Sequence, residues 1–174
     1  MNILTGFEKL YQIMIGCIEA ERVENGLLKD VETVVNSYFN DGSVDEPVIW
    51  ITQHPTTAKR QADISQTMEL TTPFEFDCGV YDRDLDEGNL LSQNLANRVI
   101  LSVLKHWQTL QAEMLPGKRM IRNITLETYS PVGYVPINGK SDKLPVTGVI
   151  LNVNHIVNWT LCCQQLQNNN NSED

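Results

Sequence analysis

From Met68 to Val80 the chain alternates in character. Even positions read Met68, Leu70, Thr72, Phe74, Phe76, Cys78 and Val80, while odd positions read Glu69, Thr71, Pro73, Glu75, Asp77 and Gly79. Successive side chains of a strand point to opposite faces. The run therefore predicts a half-buried antiparallel strand with one apolar face and one acidic outer face carrying Glu69, Glu75 and Asp77. A strand that is apolar on one side only must be covered there, and the rest of the chain has to supply the cover.

Two helical patterns meet that need. Thr5-Gly6-Phe7-Glu8 has the spacing of a capping box, in which hydroxyl and carboxylate each satisfy an orphan backbone donor. Behind it Phe7, Leu10, Tyr11, Met14, Ile15 and Ile18 keep a helical stripe, so a first helix is predicted from about Thr5 to about Glu21, with Asn25-Gly26 stopping it. A second helix, Asp86–Leu110, can be capped by Asp84 or Asp86, with Glu87 favourable in its first turn. Its apolar stripe reads Leu90, Leu91, Leu95, Val99, Ile100, Val103, Leu104, Trp107 and Leu110. Lys105 and His106 fall late, where cations suit the negative end of the helix dipole, and Pro116-Gly117 closes it.

The remaining segments read as strands and turns. Leu27 to Phe39 fits either period, and its β-branched content favours a strand. Pro47 introduces Val48-Ile49-Trp50-Ile51, a continuous apolar run suited to a strand buried on both faces, which His54-Pro55 ends. Thr56 to Ser65 reads as a polar loop with Lys59 and Arg60. Met120 to Tyr129 alternates through Ile124 and Leu126. In the last strand Val149, Leu151, Val153, Val157, Trp159 and Leu161 share a face. Between them Pro131–Pro145 is a Pro- and Gly-rich loop with the hairpin signal Asn138-Gly139 at its tip. The fold class implied is α+β, a mainly antiparallel sheet flanked by an N-terminal helix and one long central helix.

A chain of 174 residues suits a single domain, taken here as 1–163, followed by a disordered Asn-rich tail over 164–174. The net charge of −9 argues against a general nucleic-acid binder, which needs clustered Lys and Arg. Four cysteines, two of them adjacent at Cys162 and Cys163, make no disulfide framework, and the absence of a signal peptide predicts synthesis in a reducing cytosol. No apolar run approaches the length of a membrane span, so no membrane partner is expected.

No residue set points to catalysis, a cofactor or a metal. His54, His106 and His155 lack metal-ligand spacing. Cys78 is flanked by Glu75 and Asp77, which disfavours a thiolate, and it reads as core. Asp77, Asp82, Asp84, Asp86 and Glu87 lack the Gly and terminal Glu of a calcium loop and read as a solvated loop with a helix cap. There is no nucleophile elbow, no phosphate-binding loop and no dinucleotide turn.

The whole order is distinctive: an N-terminal amphipathic helix, the Pro47-led strand, the long strand Met68–Val80, a helix opened by acids, and two closing strands around a protruding loop. It resembles the tail terminator, or tail-completion, proteins of long-tailed bacteriophages, over roughly Thr5 to Leu161. The resemblance implies a structural virion protein, assembled in the host cytoplasm and located at the tail and neck. It implies a hexameric ring that caps the tail tube protein, ends its polymerisation and meets the head-tail connector protein. DNA would pass without specific binding, past an acidic lumen wall. The arm toward a neighbour or the tube is expected in Pro131–Pro145, with Tyr129, Tyr134, Lys140 and Lys143 in or beside it. The rival readings are a head-tail connector or minor tail protein of similar fold, and a small ligand-binding or enzymatic α+β domain with a pocket between sheet and second helix.

Overall fold

The alternating run is the spine of the molecule. A computed structural model of the chain describes residues 6–36, 47–58, 67–115, 120–130, 133–136 and 143–158. In order these form α1 (Gly6–Glu19), β1 (Thr33–Val35), β2 (Val48–Gln53), β3 (Thr57–Ala58), β4 (Thr67–Gly79), α2 (Leu85–Met114), β5 (Ile121–Tyr129), β6 (Gly133–Pro136) and β7 (Lys143–Asn158). The sheet runs β1-β2-β4-β7-β5, with β3 on β4 and β6 on β7. Every pairing is antiparallel except β1 on β2. This is the α+β architecture expected, with a mixed, mainly antiparallel sheet.

Register sorts the side chains onto two faces. Ile49, Cys78 and Thr147 stand in one cross-strand row, and Ile51, Phe76 and Val149 in the next. On this inner face the even residues of β4 pack with Val149, Leu151 and Val153 of β7, beneath Leu10, Ile13, Met14, Cys17 and Ile18 of α1 and Leu95, Val99, Val103 and Trp107 of α2. Both helices therefore cover the same side. Each apolar side chain moved from water into this layer contributes about 1.5–3 kcal/mol, which is what holds the two layers together. The outer face carries a smaller cluster at one end, Val48, Trp50, Leu144 and Val146, with Val35, Tyr81 and Val135 against it.

Several sequence expectations need correction. The segment from Leu27 is a strand only over Thr33–Val35; residues 27–30 are turn, and 37–39 lie outside the described residues. Residues 57–58, in the expected polar loop, form the short strand β3 on β4, whereas Lys59 and Arg60 lie outside the described residues. α2 spans 30 residues, longer than expected, and Asp84 is its N-cap: its carboxylate accepts from the Asp86 and Glu87 backbone N–H groups. Leu90 and Leu104 were placed in the core stripe, yet they are 62% and 50% exposed. The buried face of α2 instead includes Gly88, Ser92, Ser102 and Gln111. Ser92 shares a hydrogen bond with the Thr147 hydroxyl at 2.9 Å, Ser102 donates to the Arg98 carbonyl at 2.7 Å, and Gln111 accepts from the Ile121 N–H. Local bonds of this kind let small polar residues occupy core positions at little cost.

β5 is an exposed edge strand, and Leu126, expected on its apolar face, is exposed with it. Leu126 keeps the phase of Ile124 and stands opposite the buried Leu151, but at the edge of the sheet it is left 53% exposed; the register shifts of β5 fall on either side of it, between Ile121 and Asn123 and between Leu126 and Thr128. The Pro131–Pro145 segment is more ordered than a loop. β6 pairs with β7 through Gly133↔Val146 to Pro136↔Lys143, and Val135 and Leu144 join the outer cluster. Because β4 occupies the opposite edge of β7, β5 and β6 follow one another along one edge. Residues 121–158 are thus one long hairpin whose tip residues, 137–142 with Lys140, lie outside the described residues. The Thr5 cap, Trp159, Leu161 and the 164–174 tail also lie outside them.

Candidate functional site

The three acids expected on the outer face do share it, but they are not three free charges. Glu69 pairs with Arg122 across β7 at 2.9 Å. Glu75 accepts from His54 Nε2 at 2.7 Å, an ion pair when the imidazole is protonated. Asp77 is the exception among the three, with no hydrogen bond or ion pair among the described residues. Its carboxylate lies over Gly148 of β7, Oδ1 being 3.0 Å from where a Cβ on that residue would stand. Burial, and after it the negative charge of Glu75, pushes the Asp77 carboxyl up to about 7, with His54 pulling the other way. Asp86 and Glu87 in the first turn of α2, and Asp84 that caps it, are exposed.

The two tyrosines of the expected arm are tied to their own subunit. Tyr129 donates to the Gln93 carbonyl and Tyr134 to Asn89 Oδ1, each at 3.2 Å. Both rings remain largely exposed, so each presents an apolar surface while its hydroxyl is held by the first half of α2. Lys143 pairs in register with Pro136 at the distal end of the hairpin.

His155 sits in the core. It is 1% exposed on the inner side of β7, and its Nε2 shares a 2.9 Å hydrogen bond with the Thr72 hydroxyl. Thr72 in turn shares one with Thr56 at 2.7 Å. Burial pushes the imidazole down to about 4, so it is neutral at physiological pH. A hydroxyl beside an imidazole is the beginning of a nucleophile–base pair. Here both side chains are buried, with His155 at the wall of a small cavity. Cys17 and Cys78 are likewise buried, and burial raises both thiols, Cys17 to about 12. Neither is poised as a thiolate.

Sequence reasoning missed Glu21. Just past α1 the chain reverses: Leu28 N–H donates to the Glu21 carbonyl at 2.8 Å, and a Cβ on Gly26 would fall 2.1 Å from that oxygen, so only glycine fits the turn. The Glu21 side chain, almost fully covered, accepts from His106 at 2.5 Å, Lys105 at 2.6 Å and the Leu27 N–H at 2.7 Å. These bonds, His106 first, hold its carboxyl down at about 2. Lys105 and His106, read as dipole partners late in α2, are the half of this clamp that was visible in the sequence.

A cavity of about 120 Å³ opens beside the Glu69–Arg122 pair, lined also by Leu70, Thr71, Asn123, Asn154 and His155. It is far smaller than the roughly 300–1,000 Å³ of a typical small-molecule site. Among the described residues no three His, Cys, Asp or Glu side chains converge to hold a metal ion, and no helix is long and apolar enough to cross a membrane. No family model matches the chain, and no curated protein matches it.

Proposed function

We propose that this chain is a structural assembly protein of the tail-terminator kind, which caps a phage tail tube as a ring, most simply of six subunits, and offers its other face to the head-tail connector. The observation that carries the reading is the long hairpin 121–158. It runs the full height of the sheet, and its distal pairs, Tyr134↔Pro145 to Pro136↔Lys143, lie past the last β4 pair at Gly79↔Val146. At this end Leu144 and Val135 pack on Val48 and Trp50, while Tyr134 stays 47% exposed, so the surface it offers a partner is the Tyr134 side of β6. The exposed edge of β5 and β6 adds a row of backbone donors and acceptors, which a neighbouring chain can use in a head-to-tail contact that closes into a ring.

Two further features support the reading. α1, β2, β4, α2, β5 and β7 follow the order read from the sequence, with β1, β3 and β6 added to it, and the Thr72 and His155 side chains are buried. The acidic-lumen element changes in location. With Glu69 and Glu75 paired and Asp77 half-buried, the solvated charge facing passing DNA phosphates is better supplied by Asp84, Asp86 and Glu87.

Size-exclusion chromatography with light scattering tests the assembly, alone and with polymerising tail tube protein. The reading expects a species of about six times the 19.7 kDa chain, at least when tube ends are present. A chain that stays monomeric with tube ends present, or a monomer that takes up a small ligand, opposes it.

A further inference from the structure

At the end of the sheet away from the hairpin tip, a bulge brings two consecutive residues to one cavity. β5 shifts register between Ile121 and Asn123, and Asn123 then pairs with Asn154 of β7. In an unbroken strand successive side chains turn to opposite faces. Here Arg122 and Asn123 both line the same cavity of about 120 Å³, and Arg122 reaches across β7 to Glu69 at 2.9 Å. The Thr71 hydroxyl donates to Asn154 Oδ1 at 2.7 Å, which fixes the orientation of that carboxamide and leaves its two N–H donors for another partner. Glu69 adds acceptors, Arg122 further donors, and Asn123 both kinds. Arg122 and Asn123 are exposed, and Glu69, Thr71 and Asn154 are half-buried, so this wall is open to a ligand.

We infer that this cavity is a binding site for the side-chain carboxamide of an asparagine or glutamine. Size and hydrogen-bond inventory choose the ligand. At about 120 Å³ the space suits one side chain, well below the roughly 300 Å³ at which small-molecule sites begin. A carboxylate would meet Arg122 but also the charge of Glu69, and an ammonium would meet the reverse. A hydrocarbon side chain would displace water and leave the Asn154 donors and the Glu69 oxygens unpaired. A carboxamide is neutral: its oxygen accepts from Asn154 and Arg122, and its N–H groups donate to Glu69. Two sources carry that chemistry, a partner protein and residues 164–171 of this chain, seven of which are Asn or Gln. β7 passes the cavity at Asn154 and ends at Asn158. From there the chain to Gln164 spans up to about 20 Å, against roughly 13 Å back along the strand to Asn154. The inference does not rest on the ring proposal, which concerns the other end of the hairpin and the backbone edge of β5 and β6.

The test is a backbone-amide NMR titration of the full chain with N-acetyl-glutamine methylamide, and with the matching glutamate, lysine and methionine compounds. The expected result is saturable perturbation of residues 69–71, 122–123 and 154–155 by the glutamine compound, with the other three binding at least about fivefold more weakly, the worth of one neutral hydrogen bond. Asn154→Ala should weaken the glutamine compound by a similar factor. Thr71→Val, which keeps the side-chain shape but releases the Asn154 carboxamide, should weaken it less and gives a second readout should the first variant fold poorly. A full-length variant with serine at each Asn and Gln of 164–171 then separates the sources. Movement of the same resonances on that replacement assigns the site to the chain's own carboxamides, and unchanged resonances assign it to a partner's. Equal responses to the four compounds, perturbations that avoid these residues, or binding that neither Asn154→Ala nor Thr71→Val alters would overturn the inference.

Discussion

The Asp77 carboxylate rests on the backbone of Gly148, its Oδ1 3.0 Å from the position a Cβ would take there. That contact half-buries an acid beside a second one, Glu75, and so ties the stability of the sheet to pH. The folded state holds the Asp77 proton up to about 7, against 3.8 for an ordinary aspartate. A carboxyl raised in this way favours the fold when protonated, and its contribution fades as pH climbs from about 4 through 7.

Asp77→Asn should therefore raise the melting temperature at pH 8 by about 2–4 °C, the shift that ~1 kcal/mol produces in a chain of this size, and leave it nearly unchanged at pH 4. Thermal unfolding followed by circular dichroism across pH 4–8 measures this. Equal effects at both ends would mean that the carboxylate is solvated in the fold.

Glu21 behaves in the opposite sense. Hydrogen bonds from His106, Lys105 and the Leu27 N–H lower its carboxyl from 4.5 to about 2, so the ionised form is the one the fold prefers. Its contribution is complete above about pH 4.5 and disappears as pH falls toward 2. Glu21→Gln should lower the melting temperature at pH 6, and the wild-type and variant curves should converge near pH 2. Parallel curves over that range would show that the clamp between α1 and α2 does not depend on charge.

Trp107 and Leu104 separate the face of α2 that packs from the face that does not. Both fall on the apolar pattern of the sequence, but Trp107 is 6% exposed whereas Leu104 is half exposed. Trp107→Ala should cost about 3–5 kcal/mol in chemical denaturation, and Leu104→Ala should stay within about 0.5 kcal/mol. Similar losses at both positions would place the helix in a different rotation.

These contrasts show what the sequence can carry. The strand over Met68–Val80 was legible because one side of it is covered along its whole length, and each even residue from Leu70 to Val80 is buried. The Asp84 cap was legible because capping is a local bond. β1 was hard to place because its three residues are strand only by pairing with β2, a contact no local pattern encodes. Leu90 and Leu104 misled because a helix this long carries more leucine than its buried face can use, while Ser92, Ser102 and Gln111 fill core positions through bonds that appear only in three dimensions. At the outer face, the sharing of Glu69, Glu75 and Asp77 was readable from the strand period. Arg122 and His54, which bond two of them, lie elsewhere in the sequence, so their pairing was not.

The central claim is that this chain ends tail-tube growth and that the hairpin is the part that does so. Electron microscopy of tail tubes polymerised with the chain, and with a variant whose 137–142 tip is cut to a bare Asn-Gly turn, addresses it most directly. The account predicts tubes of uniform length with a closed ring at one end for the native chain, and overlong, uncapped tubes for the folded variant. Uniform capped tubes with the shortened hairpin, or tube lengths that do not respond to the native chain, would contradict it.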